Sequence, residues 1–228
     1  MSSRSFFSVI TISTLVFVSA ATAQPQSWPD SFLSRVEILA LIQTLNAELL
    51  TARSATATLE SWCAAHKMAP EPKIVARRVA GPEVSASAEI RQRLRLEAGE
   101  PVKYRRVALM CGDHVLSEAE NWYAPGRLTE DMNRTLETTE TPFGKAVAAL
   151  QPFRRTIEAT TRWSPLPAGW ELAAPAAPTR MSGALALPHE LFEHKAVLYT
   201  AEQKPFSEVH EHYTNEILNF AVAPAGGG

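Results

Sequence analysis

The chain has 228 residues, with 22 Lys and Arg against 24 Asp and Glu and a formal charge of −2. That length suits one domain with a sizeable core, and the slightly acidic balance argues against a nucleic-acid partner. Only Cys63 and Cys111 are present; an oxidising compartment joins them if the fold brings them together, which the sequence leaves open.

Residues 1–23 carry a lone Arg4, a mostly apolar run from Phe6 to Val18 and the small-residue sequence Ala21-Thr22-Ala23. This is the layout of a secretory signal peptide cleaved before Gln24. A membrane span needs about 20 apolar residues, and this run is shorter and broken by Ser8, Thr11, Ser13 and Thr14. No Cys follows Ala23 to take a lipid. The expectation is a periplasmic or secreted protein with no stable membrane anchor after signal cleavage, and a single domain over residues 24–220.

From Ser31 to Leu50, Phe32, Val36, Leu39, Ile42, Leu45 and Leu49 recur at helical spacing, which predicts an amphipathic helix entered near Ser27-Pro29 or Asp30. Ser54 opens a second helix through Leu59 and Trp62, ending before Pro70. Lys73 to Val79, Val102 to Cys111 and Val115 to Tyr123 are strand-like, the last two joined by a hairpin turn at Gly112-Asp113-His114. Short helical stretches follow at Glu130 to Leu136, entered at Thr129, and at Gly144 to Leu150. Arg154 to Trp163, Lys195 to Thr200 and Phe206 to Tyr213 complete the strands. Residues 164–188 are dense in Pro and Ala and read as a surface insertion or crossing loop. The tail over residues 221–228 is small, Gly-rich and expected to be flexible. Helices first and strands afterwards predict an α+β fold, an antiparallel sheet covered on one side.

No nucleophile elbow, Walker loop, dinucleotide fingerprint, H-E-x-x-H or C-x-x-C occurs. What remains is charge inside strands. Alternation puts Val209, Glu211 and Tyr213 on one face and Glu208, His210 and His212 on the other. Glu211 therefore shares an apolar face, where it serves either as a proton donor or acceptor or as half of a buried ion pair with an Arg. The strand carrying Arg105 and Arg106 is apolar on both faces, so at least one of them is partly buried and suited to fork onto a carboxylate, to cap Glu211 or to snorkel to solvent. His189, His194, His210 and His212 raise a metal site, but neutral surface histidines explain the same pattern; no metal and no cofactor is expected. The sequon at Asn133-Arg134-Thr135 reads as chance.

Three segments carry a resemblance: Arg106-Val-Ala-Leu-Met-Cys111, then Ala124-Pro125, then Thr141-Pro142-Phe143-Gly144, closed by Lys204-Pro205 and Glu211. In these, from about Leu59 to Leu218, the chain resembles chorismate pyruvate-lyase and the related UTRA effector-binding domains of bacterial transcription regulators. The resemblance implies an internal ligand cavity closed by helical flaps. It also implies conversion of chorismate to 4-hydroxybenzoate and pyruvate without a cofactor, or binding of an aromatic or other small carboxylate without turnover. Carried over, Arg106 binds the ring carboxylate, Glu211 contacts the far ring hydroxyl, Thr58 offers backbone to the carboxylate and Phe143 walls the ring. The chain departs from the lyases at Glu120 and Asn121, which replace a Gly-Arg pair and are expected beside the ligand. It departs also in the spacing from Pro205 to Glu211, one residue longer, which leaves Glu208 as a second candidate. The Pro-rich insertion has no lyase counterpart. An interaction protein with a relic cavity is a third reading, which requires Trp122 and Tyr123 to be exposed.

Overall fold

A computed structural model describes residues 27–172 and 183–220. Residues 1–26, which include the expected signal peptide, residues 173–182 of the Pro-rich insertion and the tail over residues 221–228 lie outside the described residues. Among the described residues no helix is long and apolar enough to cross a membrane.

The expected α+β architecture is present, with two long helices ahead of a six-stranded antiparallel sheet. Helix α1 (Phe32–Thr51) starts at Ser31, whose hydroxyl accepts from the Ser34 N–H. The cap is thus Ser31 rather than Ser27 or Asp30. The core stripe is Ile38, Ile42, Leu45 and Leu49, while Phe32 at the first turn is exposed. Helix α2 (Ala55–Ala65) is capped by Ser54, whose Oγ accepts from the Ala57 N–H, and it buries Leu59, Trp62 and Cys63. Each of these large apolar side chains contributes about 1.5–3 kcal/mol on leaving water.

The strands are β1 (Ile74–Arg78), β2 (Lys103–Cys111), β3 (His114–Tyr123), β4 (Phe153–Thr161), β5 (Glu190–Tyr199) and β6 (Pro205–Thr214). Their order across the sheet is β1-β2-β3-β6-β5-β4, so β6, last in the chain, lies between the β1-β2-β3 meander and the β5-β4 pair. The β2-β3 loop is tight because Gly112 takes a positive φ of 55°, as two-residue hairpin loops require.

One sheet face packs under α1 and α2 in a single apolar core. The other was expected to stay open. Instead a short helix that periodicity does not reveal, α3 (Ala88–Arg93), lays Ile90 over Trp122 and Val197. Trp122 and Tyr123 are buried, at 4% and 2% exposure, and the Trp122 indole donates to Val84 O; the interaction reading loses the exposure it required. Helix α4 (Glu130–Thr138) and the one-turn helix α5 (Phe143–Ala146) follow β3. Cys63 of α2 and Cys111 of β2 form a disulfide, with Cα atoms 6.3 Å apart. The described ends of the Pro-rich segment fold back on the domain: Pro165 O accepts from Arg35 of α1, Leu166 is buried, and Ala184 bridges to Pro29.

Candidate functional site

Between the core face of the sheet and the start of α2 lies a cavity of about 70 Å³. Its walls are largely apolar, from Val107, Leu109, Ala119, Leu198 and Val209 on the strands and Phe143 on α5. Over it sit Ser54, the cap of α2, and Ala55 and Thr56, its first residues, so the positive end of that helix borders the cavity. The turn at Gly144 closes against them, and a Cβ there would sit 3.1 Å from Ser54 Oγ.

Strand alternation selects the charged groups. Arg105 pairs in register with Asn121, and Ala119 with Glu211, which places Arg105, Asn121 and Glu211 on the cavity face. Arg105 is 5% exposed; its Nη2 donates to Thr141 O at 3.1 Å, and its Nε finds no partner among the described residues. Burial, and then the charge of Arg78, push its pKa down to about 10. Arg154, in register with Leu198, reaches across β5 to Glu211, with Nη1 2.6 Å from Oε2. Glu211 Oε2 also accepts from the Tyr213 hydroxyl at 3.0 Å. Burial opposes the charge on Arg154, but the Glu211 carboxylate outweighs it and leaves the guanidinium pKa raised. The same burial and carboxylate hold the Tyr213 phenol well above its usual value. Next to this pair His194 is fully buried, with Nε2 2.7 Å from Asn46 Oδ1 and Nδ1 without a partner among the described residues.

The expected residues divide by face. Glu211, Asn121 and Phe143 line the cavity. Asn121 is anchored by the Ser207 hydroxyl, which donates to its Oδ1 at 3.1 Å, and Phe143 stacks on Phe206. Arg106 does not reach it. One position along from Arg105, it is exposed on the opposite face, 3.6 Å from Glu118, and Arg105 occupies the cavity side. Glu120, paired in register with Arg106, also points away and accepts from the Tyr104 hydroxyl at 2.5 Å; the added negative charge expected beside the ligand is therefore absent from the cavity. Thr58 is not among the residues that line the cavity, and its N–H is committed to Ser54 O, whereas Ala55 and Thr56 before it on α2 do line it. Glu208, the second candidate, faces away and is clasped by Arg93 and His210.

The histidines are dispersed: His189 meets Glu118, His194 Asn46, His210 Glu208 and His212 Glu190. Glu190, Glu193 and His212 bring ligand-type atoms within 4.8 Å of one another, but Arg162 is ion-paired with both carboxylates and already compensates their charge.

No protein-family model matches the chain. It is 50% identical over 196 residues to the uncharacterized protein y4mC of Sinorhizobium fredii (strain NBRC 101917 / NGR234), covering 86% of this chain and 82% of that protein. Among solved structures it is similar to PhnF from Mycobacterium smegmatis, with 13% identity, 89% and 95% of the two chains covered and a TM-score of 0.45. It is similar also to the effector domain of PhnF from Mycobacterium smegmatis, with 14% identity, 72% and 89% covered and a TM-score of 0.45.

Proposed function

The chain belongs to the family of the y4mC protein of Sinorhizobium fredii, and for it we propose a binding function: the cavity beneath α2 receives a small carboxylate. The observation that carries this reading is the pair Arg105 and Arg154, two buried side chains in the wall of a largely apolar cavity, each with N–H groups that find no partner among the described residues. A buried donor without an acceptor costs about 1–3 kcal/mol, and an anionic ligand removes that cost. The start of α2 adds further N–H donors and a favourable dipole. A ligand that binds the native state stabilises it by mass action, by about 2.7 kcal/mol at 100 times its dissociation constant, and so raises the melting temperature. A thermal-shift panel of small carboxylates should contain acids that raise it. No shift with any acid at millimolar concentration would remove the reading.

A lyase acting on chorismate, releasing 4-hydroxybenzoate and pyruvate, is the second reading, and Phe143 and Glu211 sharing the cavity walls favour it. The chain would supply orientation and charge stabilisation rather than a cofactor, with Arg105 in the role that the resemblance gave to Arg106. Full retention of chorismate after prolonged incubation with the protein would end this reading.

The proposal extends to location. Arg4, the apolar run and Ala21-Thr22-Ala23 support export, and the Cys63–Cys111 pairing suits an oxidising compartment. N-terminal sequencing of protein recovered from the periplasm or medium should begin at Gln24. An intact N-terminus on protein in the cytoplasm would contradict it.

A further inference from the structure

The two buried arginines of the cavity are not equivalent, and the difference lies in which edge of each guanidinium is free. Arg105 has committed Nη2 to Thr141 O, and its buried Nε finds no partner among the described residues. Arg154 uses Nη1 for Glu211 and leaves both Nε and Nη2 without a partner among the described residues. Its side chain is 5% exposed. Nε and Nη2 form the side-on fork of a guanidinium, two parallel N–H bonds spaced for the two oxygens of one carboxylate.

The same chain shows that fork filled twice. Arg93 donates Nε to Glu208 Oε2 at 2.8 Å and Nη2 to Glu208 Oε1 at 2.6 Å. Arg127 donates Nε to Glu100 Oε1 at 2.7 Å and Nη2 to Glu100 Oε2 at 2.8 Å. At Arg154 the arrangement is built and buried, and the chain's own carboxylate has taken the other corner. From this we infer that a carboxylate of the ligand seats side-on in the Nε/Nη2 fork of Arg154, and that Arg105 with the start of α2 meets an acceptor at the ligand's other end. This rests on the proposed binding of a small carboxylate and reverses the polarity that the sequence resemblance implies, in which the β2 arginine holds the carboxylate and the Glu211 end holds a hydroxyl. The ligand class is a small planar acid with a second acceptor, a hydroxyl or another acid group, opposite its carboxylate. Glu211 is then a positioning residue that holds the guanidinium in place.

The test is calorimetric titration of the purified protein with benzoate, its neutral isostere benzamide, and 4-hydroxybenzoate. Wild-type protein is expected to favour benzoate over benzamide at least tenfold. Arg154→Lys keeps a cation for Glu211 but lacks the fork; it should weaken benzoate at least tenfold and bring the acid-to-amide ratio close to one. Arg105→Lys should preserve that ratio and instead reduce the preference for 4-hydroxybenzoate over benzoate. Should Arg154→Lys fail to fold, the paired replacement Arg154→Met with Glu211→Leu removes the ion pair as a unit and is read by the same ratio. If the ratio survives loss of Arg154 and collapses in Arg105→Lys, the carboxylate sits on Arg105 and the inference is overturned while the binding reading stands. If no acid binds the wild-type protein, both fall.

Discussion

Glu211 and Arg154 show how one buried pair can both hold a fold together and define a site. Removing one partner strands the other: Glu211→Gln leaves Arg154 buried without a counter-charge and should cost about 3–5 kcal/mol, read as a lower urea midpoint. Replacing both partners together by apolar residues should recover most of that loss. Beside them His194 senses pH. Burial, and then the Arg154 cation, hold its pKa down to about 4 against the pull of Glu211, below the ordinary value near 6.5. The unfolded chain therefore takes up a proton at His194 before the native one does. The stability tied to a neutral His194 is complete above about pH 6.5 and is lost as pH falls toward 4, by about 3 kcal/mol in all. Urea unfolding between pH 7.5 and 4.5 should lose stability more steeply in wild-type protein than in His194→Gln; equal slopes would show that His194 is not the group responsible.

The site's residues were unevenly legible. Glu211 announced itself because strict alternation put a carboxylate among Val209 and Tyr213. Arg105 and Arg106 could not be separated, since β2 is apolar on both faces, and the resemblance favoured the one that points out. Arg154 carries no such signal: it stands beside Arg155 at the start of a strand, and its meaning depends on a reach across β5 that no local pattern encodes.

At the level of elements, the start of α2 is the part that fold and site share. Ser54→Ala removes its cap and should cost about 1 kcal/mol. Gly144→Ala should act on the same spot from the other side, because the added methyl meets Ser54 Oγ, and it is expected to weaken acid binding more than it lowers the melting temperature. The disulfide fixes α2 to β2 across a sequence separation of 48 residues; chain-entropy arguments put its contribution at about 4 kcal/mol. Melting with and without a reductant measures it, and unchanged melting would show that the clamp contributes nothing. Helix periodicity and hairpin chemistry made α1, α2 and the β2-β3 pair readable in advance. Helix α3 was not, because six residues are too few to display a period and the stretch around them is rich in Gly, Pro and Ser.

For the whole molecule, the sheet order was the least readable feature, since pairings between distant strands leave no trace in local sequence. Ser117 pairs with Tyr213, about half the length of the domain away, and β6 connects the β1-β2-β3 meander to β5 and β4. Until residues 205–214 have been synthesised, the two parts of the sheet share no strand, Arg154 has no Glu211, and the cavity lacks a wall. Such distant pairing also makes folding intrinsically slow. A chain that places its joining strand last cannot close its sheet until its synthesis is nearly complete.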